Sequence, residues 1–449
     1  MSSGRLQPAN PALTFAFGIF VLIMMLLFSG VLELASFLAP VHPIFLLSGL
    51  ALFGALVSGQ FLRVIKSPIG RAISLFTIWF LICIPFSIWR GGSFHVLLEQ
   101  WYKSFFFFVM TASVVTSVAQ SRRVFNTIGY SVGMLAILAL AMRGYDREGR
   151  LGLFNTRYEN ANDLAWTLLL GLTFLSFIYS RGTRIQKIVV VILCAPILLA
   201  LVKTGSREGL IGAGMLVAFS YFQASRALRV KLATRVPILL ILLLAVTPPD
   251  IRSRYITFFA TGAGATSVEK SAAASTETRL ALLKDSIRIT ILHPVFGVGP
   301  GNFPVAQSEL ALARGETRGF WRVTHNTYTQ ISSEMGFPGL AIYLVFIYQC
   351  FKALTSVVRT SYPGKDWQDL RSLARSLRAS LVILMTVALF DAYAFDINIP
   401  VVAGLAYGLG YAAQRKRAAL LARGEVSQPS PVAVDEATLQ PALMAHSLA

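Results

Sequence analysis

Apolar residues in this chain come in long uninterrupted runs, parted by short connections that carry much of the charge. A helix needs roughly 20 residues to cross a hydrocarbon layer. Backbone groups in lipid have no water partner, so such runs must be helical. The pattern predicts about twelve spans, at 12–32, 43–62, 70–89, 104–120, 124–142, 164–180, 187–202, 208–224, 235–247, 328–350, 378–391 and 398–414. Further spans follow the first at once, and no small-x-small cleavage pattern stands before Glu33, so it reads as a retained span.

The fold class expected is therefore an all-α polytopic membrane protein with one large helical loop outside the bilayer. Composition agrees: 55% of residues are hydrophobic and 14% charged. With the N-terminus inside, 23 of the 40 Lys and Arg but 5 of the 21 Asp and Glu fall on the inner side. That asymmetry is the positive-inside pattern and puts both ends in the cytoplasm. It also accounts for most of the +19 net charge. The basic groups flank spans and form no basic domain, which argues against a nucleic-acid partner. Cys83, Cys194 and Cys350 all fall in apolar runs and read as packing residues.

The expected layout is a cytoplasmic N-terminus (1–11), nine spans (12–247), a large outer loop (248–327), three more spans (328–414) and a polar, disordered tail (415–449). A smaller outer loop covers 143–163. Within the large loop, Leu280, Leu283, Ile287 and Ile291 recur at helical spacing, predicting a helix over 275–292 that Pro294 ends. The Gly/Ala/Ser stretch 261–274 reads as a mobile linker or lid. Gly297-Val-Gly-Pro-Gly-Asn302 is a tight turn whose glycines permit close backbone approach. It lacks the Gly-Lys-Ser/Thr ending of a nucleotide loop. The basic segment 359–378 is expected to lie along anionic lipid.

The candidate chemistry gathers on the outer side. Arg207 sits in the short connection Lys203–Gly209, where Ser206 can cap the next helix. A guanidinium there, with a helix N-terminus, suits a phosphate or carboxylate. The alternative is snorkelling to headgroups or pairing with Glu208. His325 precedes the tenth expected span, with Asn326, Tyr328 and Glu334 following. Imidazole suits proton transfer near neutral pH, and no second histidine stands at metal-ligand spacing. Arg279 and Arg288 can supplement Arg207 on a diphosphate. Arg150 and Asn162 in the first outer loop suit sugar hydroxyls. Trp101, Tyr102, Trp321 and Tyr328 can stack on sugars, or belong to an interfacial aromatic belt.

Taken together, Thr204-Gly-Ser-Arg-Glu-Gly-Leu210, Thr278-Arg-Leu280, Gly297-Val-Gly-Pro-Gly301 and His325-Asn-Thr-Tyr328 through Glu334-Met-Gly336 resemble the O-antigen ligase and polymerase family of integral-membrane glycan-transfer proteins. Asn160-Ala-Asn-Asp-Leu-Ala165 resembles a further family segment, without its Asp-Pro element. The resemblance implies a fold related to lipid-sugar-dependent GT-C-type glycosyltransferases. It implies metal- and cofactor-independent, inverting transfer of a glycan from undecaprenyl-diphosphate at the outer face of the bacterial cytoplasmic membrane. The acceptor is lipid A-core for a ligase, a second carrier-linked glycan for a polymerase, and a protein in a third relative. The family's arginine and histidine map onto Arg207 and His325, and a further arginine onto Arg279. A polyprenyl-glycan transporter is the non-enzyme alternative.

Overall fold

The computed structural model describes residues 11–35, 41–146, 148–245, 247–256, 267–316, 322–360 and 362–425. The calls on 1–10, 261–266, Trp321 and 426–449 lie outside them.

The described residues are almost entirely helical. In chain order the principal helices are α1 (Pro11–Ser29), α2 (Pro43–Val57), α3 (Pro68–Cys83), α4 (Tyr102–Val114), α5 (Val118–Met142), α6 (Ala161–Arg181), α7 (Arg184–Lys203), α8 (Arg207–Gln223), α9 (Arg226–Ala245), α10 (Ser267–Leu292), α11 (Phe303–Ala313), α12 (Thr327–Arg359), α13 (Lys365–Val387) and α14 (Asn398–Ala422). Each expected span coincides with one of these helices, and six of the described helices are long and apolar enough to cross a membrane. A two-stranded hairpin pairs Gly144–Tyr145 with Leu151–Gly152 in the first outer loop.

Three expectations change. The loop helix begins at Ser267, so residues 267–274 are its first turns rather than linker. The eleventh span was expected at 378–391. The helix instead runs Lys365–Val387, so residues 365–378 of the basic segment form its first half. Residues 388–397 turn back outside the helices.

Two packing devices position the site. The first is a polar seam between α6 and α13. Thr173 Oγ1 lies 2.5 Å from Ser380 Oγ, Ser176 Oγ 3.0 Å from Ser376 Oγ, and Ser180 Oγ 2.8 Å from Ser372 Oγ. Small hydroxyl residues let helices approach closely and bond across the gap, each bond contributing roughly 0.6 kcal/mol. The seam ends at buried Asp369, which meets Arg181 Nε at 2.6 Å and Arg122 Nη1 at 3.1 Å.

The second is a break in α12. Gly336 adopts φ 70°, and Pro338 follows. A broken helix exposes carbonyls that apolar surroundings cannot satisfy. The glycine-rich turn supplies the donors: Val298 N–H donates to Ser333 O and Gly299 N–H to Glu334 O, both at 2.9 Å, while Phe337 N–H donates back to Pro294 O. Trp79 Nε1 donates to Met335 O at 2.8 Å. The approach is so close that a Cβ on Gly336 would stand 2.0 Å from Val295 O, and one on Gly297 2.2 Å from the Glu334 carbonyl carbon. The turn is thus a backbone splint that fixes the outer loop to the bundle.

Candidate functional site

His325 occupies a left-handed conformation, φ 49°. A non-glycine residue held there stores roughly 1–3 kcal/mol, which its surroundings must offset. They do so through the residues that follow it. Asn326 is the N-cap of α12, its Oδ1 accepting from Tyr328 N and Thr329 N, both at 3.0 Å. Its Nδ2 donates to Leu389 O at 3.1 Å. Thr327 N–H donates to Ala388 O, Thr327 Oγ1 donates to Asp391 O at 2.8 Å, and it accepts from Tyr393 N at 2.9 Å. Tyr328 donates its hydroxyl to Met385 O at 3.0 Å. Asn326 and Thr327 therefore strap the start of α12 to the 388–393 turn, Tyr328 ties it to the end of α13, and His325 is held at the junction.

The strap brings His325 to a partner absent from the sequence-based set. Its Nδ1 stands 3.3 Å from Asp391 Oδ1, an ion-pair distance at an angle too oblique for a regular hydrogen bond. Burial works to raise the Asp391 carboxyl. The contact with His325 and its charge, the Ala392 N–H and the Arg279 charge act oppositely and win, holding the group below the usual carboxylate range. Its Oδ2 accepts from Tyr393 Oη at 3.1 Å; the same hydroxyl lies 2.6 Å from Asp163 Oδ1. Trp166 Nε1 points at Tyr393 Oη (3.0 Å) and Asp163 Oδ1 (3.2 Å). Burial and the surrounding carboxylates push the Tyr393 phenol far above its ordinary value, so it stays a donor.

The cations approach from the other side. Ser206 caps α8, its Oγ accepting from Gly209 N at 3.1 Å, and Arg207 opens that helix. Arg207 Nη2 donates to Thr276 Oγ1 on α10 at 3.0 Å. Arg279, one turn along α10, sets Nη1 3.7 Å from Glu208 Oε2. Glu208 is 3% exposed, and neither carboxylate oxygen has a hydrogen bond. Arg150 donates to Thr204 O at 3.1 Å and to Asn162 Oδ1 at 2.6 Å. Charges on Asp391, Arg279, Asp163 and Arg150 all act on Glu208, which ties the cationic cluster to the His325–Asp391 pair.

Of the sequence candidates, Arg150, Asn162, Arg207, Arg279 and His325 converge here. Asn326 and Tyr328 serve the strap. Arg288 lies exposed nine residues beyond Arg279, half a turn out of phase on the helix. Glu334 is buried, its Oε2 accepting from Gly301 N at 2.8 Å and its Oε1 from Phe303 N at 3.4 Å, so its carboxylate serves the glycine-rich turn. Glu208, the alternative partner for Arg207, pairs with Arg279, and nothing in the sequence pattern marks Asp391 and Tyr393. A cavity of about 600 Å³ adjoins the network, lined among others by Glu99, Lys103, Arg157, Asp163, Tyr393 and Asp396.

An all-helical chain with apolar helices of membrane-spanning length thus sets a cationic cluster in the same region as a histidine–carboxylate pair, an arrangement suited to an anionic substrate. Residues 189–344, which hold Arg207, Arg279 and His325, match the family model described as O-antigen ligase. That match supports, at a coarse level, glycan transfer of the ligase and polymerase type. Comparison with curated proteins gave no match.

Proposed function

We propose that the protein transfers a glycan from undecaprenyl-diphosphate to an acceptor hydroxyl at the outer face of the cytoplasmic membrane, with lipid A-core as the acceptor. The observation that carries this reading is the pairing of His325 with Asp391, whose carboxylate feels the charge of Arg279, while Arg207 and Arg279 meet at one turn of α10 and the start of α8.

The chemistry follows from the geometry. The donor's anomeric carbon bears a diphosphate leaving group. With Nδ1 directed at Asp391, the Nε2 of His325 takes the proton of the acceptor hydroxyl. The hydroxyl oxygen forms the new bond to the anomeric carbon, and the bond to the diphosphate breaks with its electron pair going to the phosphate oxygen. Arg207 and Arg279 stabilise the charge that grows there, aided by the N-terminus of α8. Attack opposite the leaving group inverts the anomeric configuration. Glu208 keeps Arg279 in place before the donor arrives. The cavity beside Asp163 and Tyr393 receives the acceptor sugar, its mixed acids and cations suiting hydroxyl groups.

The test supplies purified protein in lipid with an undecaprenyl-diphosphate oligosaccharide, either with lipid A-core or with donor alone. Glycan on lipid A-core supports the ligase. Extension with donor alone establishes a polymerase instead. Carrier movement across the bilayer with its glycan intact would make the protein a transporter.

A further inference from the structure

The cytoplasmic half of α13 carries two faces of opposite character. Ser372, Ser376 and Ser380 point into the seam with α6. Arg371, Arg375 and Arg378 lie roughly 140° round the helix from them, at 3.6 residues per turn. The acid nearest in sequence, Asp369, is already held by Arg122 and Arg181. The charges that act on Arg378 are those of Arg359 and Arg375, both like its own. Arg378 is half-buried, and its Nε is buried with no hydrogen-bond partner. Its Cα lies about 13 Å further along the helix than that of Asp369, so the guanidinium must reach back toward the inner interface. Setting the membrane orientation needs only cations in the connections; it does not explain a half-buried arginine set near two exposed ones of like charge.

The surroundings indicate which anion fits. The Arg378 guanidinium stands 5.7 Å from the ring centroid of Phe219 on α8. Met215, Phe219 and Phe222 form one stripe at helical spacing, and its two ends are 42% and 74% exposed. A cationic cluster thus adjoins an apolar stripe at the inner leaflet. Free phosphate would use only the first feature, whereas an anionic phospholipid uses both.

We propose that Arg375 and Arg378, with Arg359 at the end of α12, bind the phosphodiester headgroup of an inner-leaflet anionic phospholipid whose acyl chain lies along Met215, Phe219 and Phe222. Basic pockets between helices on the cytoplasmic side are suited to such headgroups, and the fork of arginine matches a phosphodiester bidentately. The proposal is independent of the reaction at the outer face.

The experiment is a thermal-shift titration of the purified full-length protein in detergent with phosphatidylglycerol, phosphatidylcholine or inorganic phosphate. Phosphatidylglycerol should stabilise at lower concentration than phosphatidylcholine, with phosphate alone inert. Arg375→Gln, at an exposed position, should reduce that preference about fivefold, and Arg375→Gln with Arg378→Gln should nearly abolish it. Arg184→Gln, exposed at the start of α7, should leave it unchanged. If the double variant does not fold, Arg375→Gln alone decides. An unchanged preference in Arg375→Gln, an equal loss in Arg184→Gln, or full stabilisation by inorganic phosphate would each overturn the proposal.

Discussion

Nδ1 of His325 faces Oδ1 of Asp391 at 3.3 Å, although α12 and α13 separate the two residues in the chain. Three further residues build that approach: Asn326 and Thr327 bind the 388–393 turn to the start of α12, and Tyr393 holds the other carboxylate oxygen. The imidazole is thereby oriented, and its second nitrogen is the one that can serve a substrate. A positioned general base contributes roughly 10²–10⁴-fold to rate. His325→Ala should lose glycan transfer by that order, and Asp391→Asn by about tenfold to a hundredfold through lost orientation. Retained helical content and a monodisperse preparation in both would separate this from misfolding.

The depressed Asp391 carboxyl also fixes a pH dependence. A group whose folded value lies below its unfolded one contributes stability above the unfolded value, near 3.9 for aspartate. That stability is lost as pH falls through the folded value. The stability difference between the native protein and Asp391→Asn should therefore be constant across the neutral range and shrink only in strong acid. Denaturation curves at stepped pH would read this directly. A difference already lost at pH 5 would mean that Asp391 is not held below its unfolded value.

Glu208 is buried without a hydrogen bond and lies 3.7 Å from Arg279. Removing one partner leaves the other without its positioning charge. Glu208→Gln should raise the donor KM by roughly tenfold while the acceptor KM stays put. An equal change in both constants would assign Glu208 to general packing instead.

The glycine splint predicts a fold effect with no specific chemical one. Gly336→Ala sets a Cβ within 2.0 Å of Val295 O at a left-handed position, costing about 3 kcal/mol or more from strain and overlap. The variant should melt earlier and show reduced protein yield. Its residual folded fraction should retain native KM values for both substrates.

Much of this architecture is legible in the chain. Twelve apolar runs locate twelve helices because lipid leaves a long apolar segment few other options. Gly205 and Ser206 announce the turn and cap before α8, and the leucines and isoleucines of 280–291 announce α10. The start of α10 is not legible, since Ala-Ala-Ala-Ser carries no apolar stripe. The 365–387 helix reads short in the sequence because six charged residues precede its apolar part, masking a continuous helix whose polar face meets α6. Asp391 stayed hidden for a different reason. It sits in a connection read as the end of a span, and only the hydrogen bonds of Asn326 and Thr327 bring that connection to His325. Pairings between residues remote in sequence leave no periodic trace.

The most direct test of the central claim measures glycan transfer from undecaprenyl-diphosphate oligosaccharide to lipid A-core by purified protein in lipid, comparing the native chain with Arg207→Ala and His325→Ala. Both variants should bind lipid and stay folded yet lose transfer, with the donor recovered intact. Transfer persisting at the native rate in both variants would contradict the account.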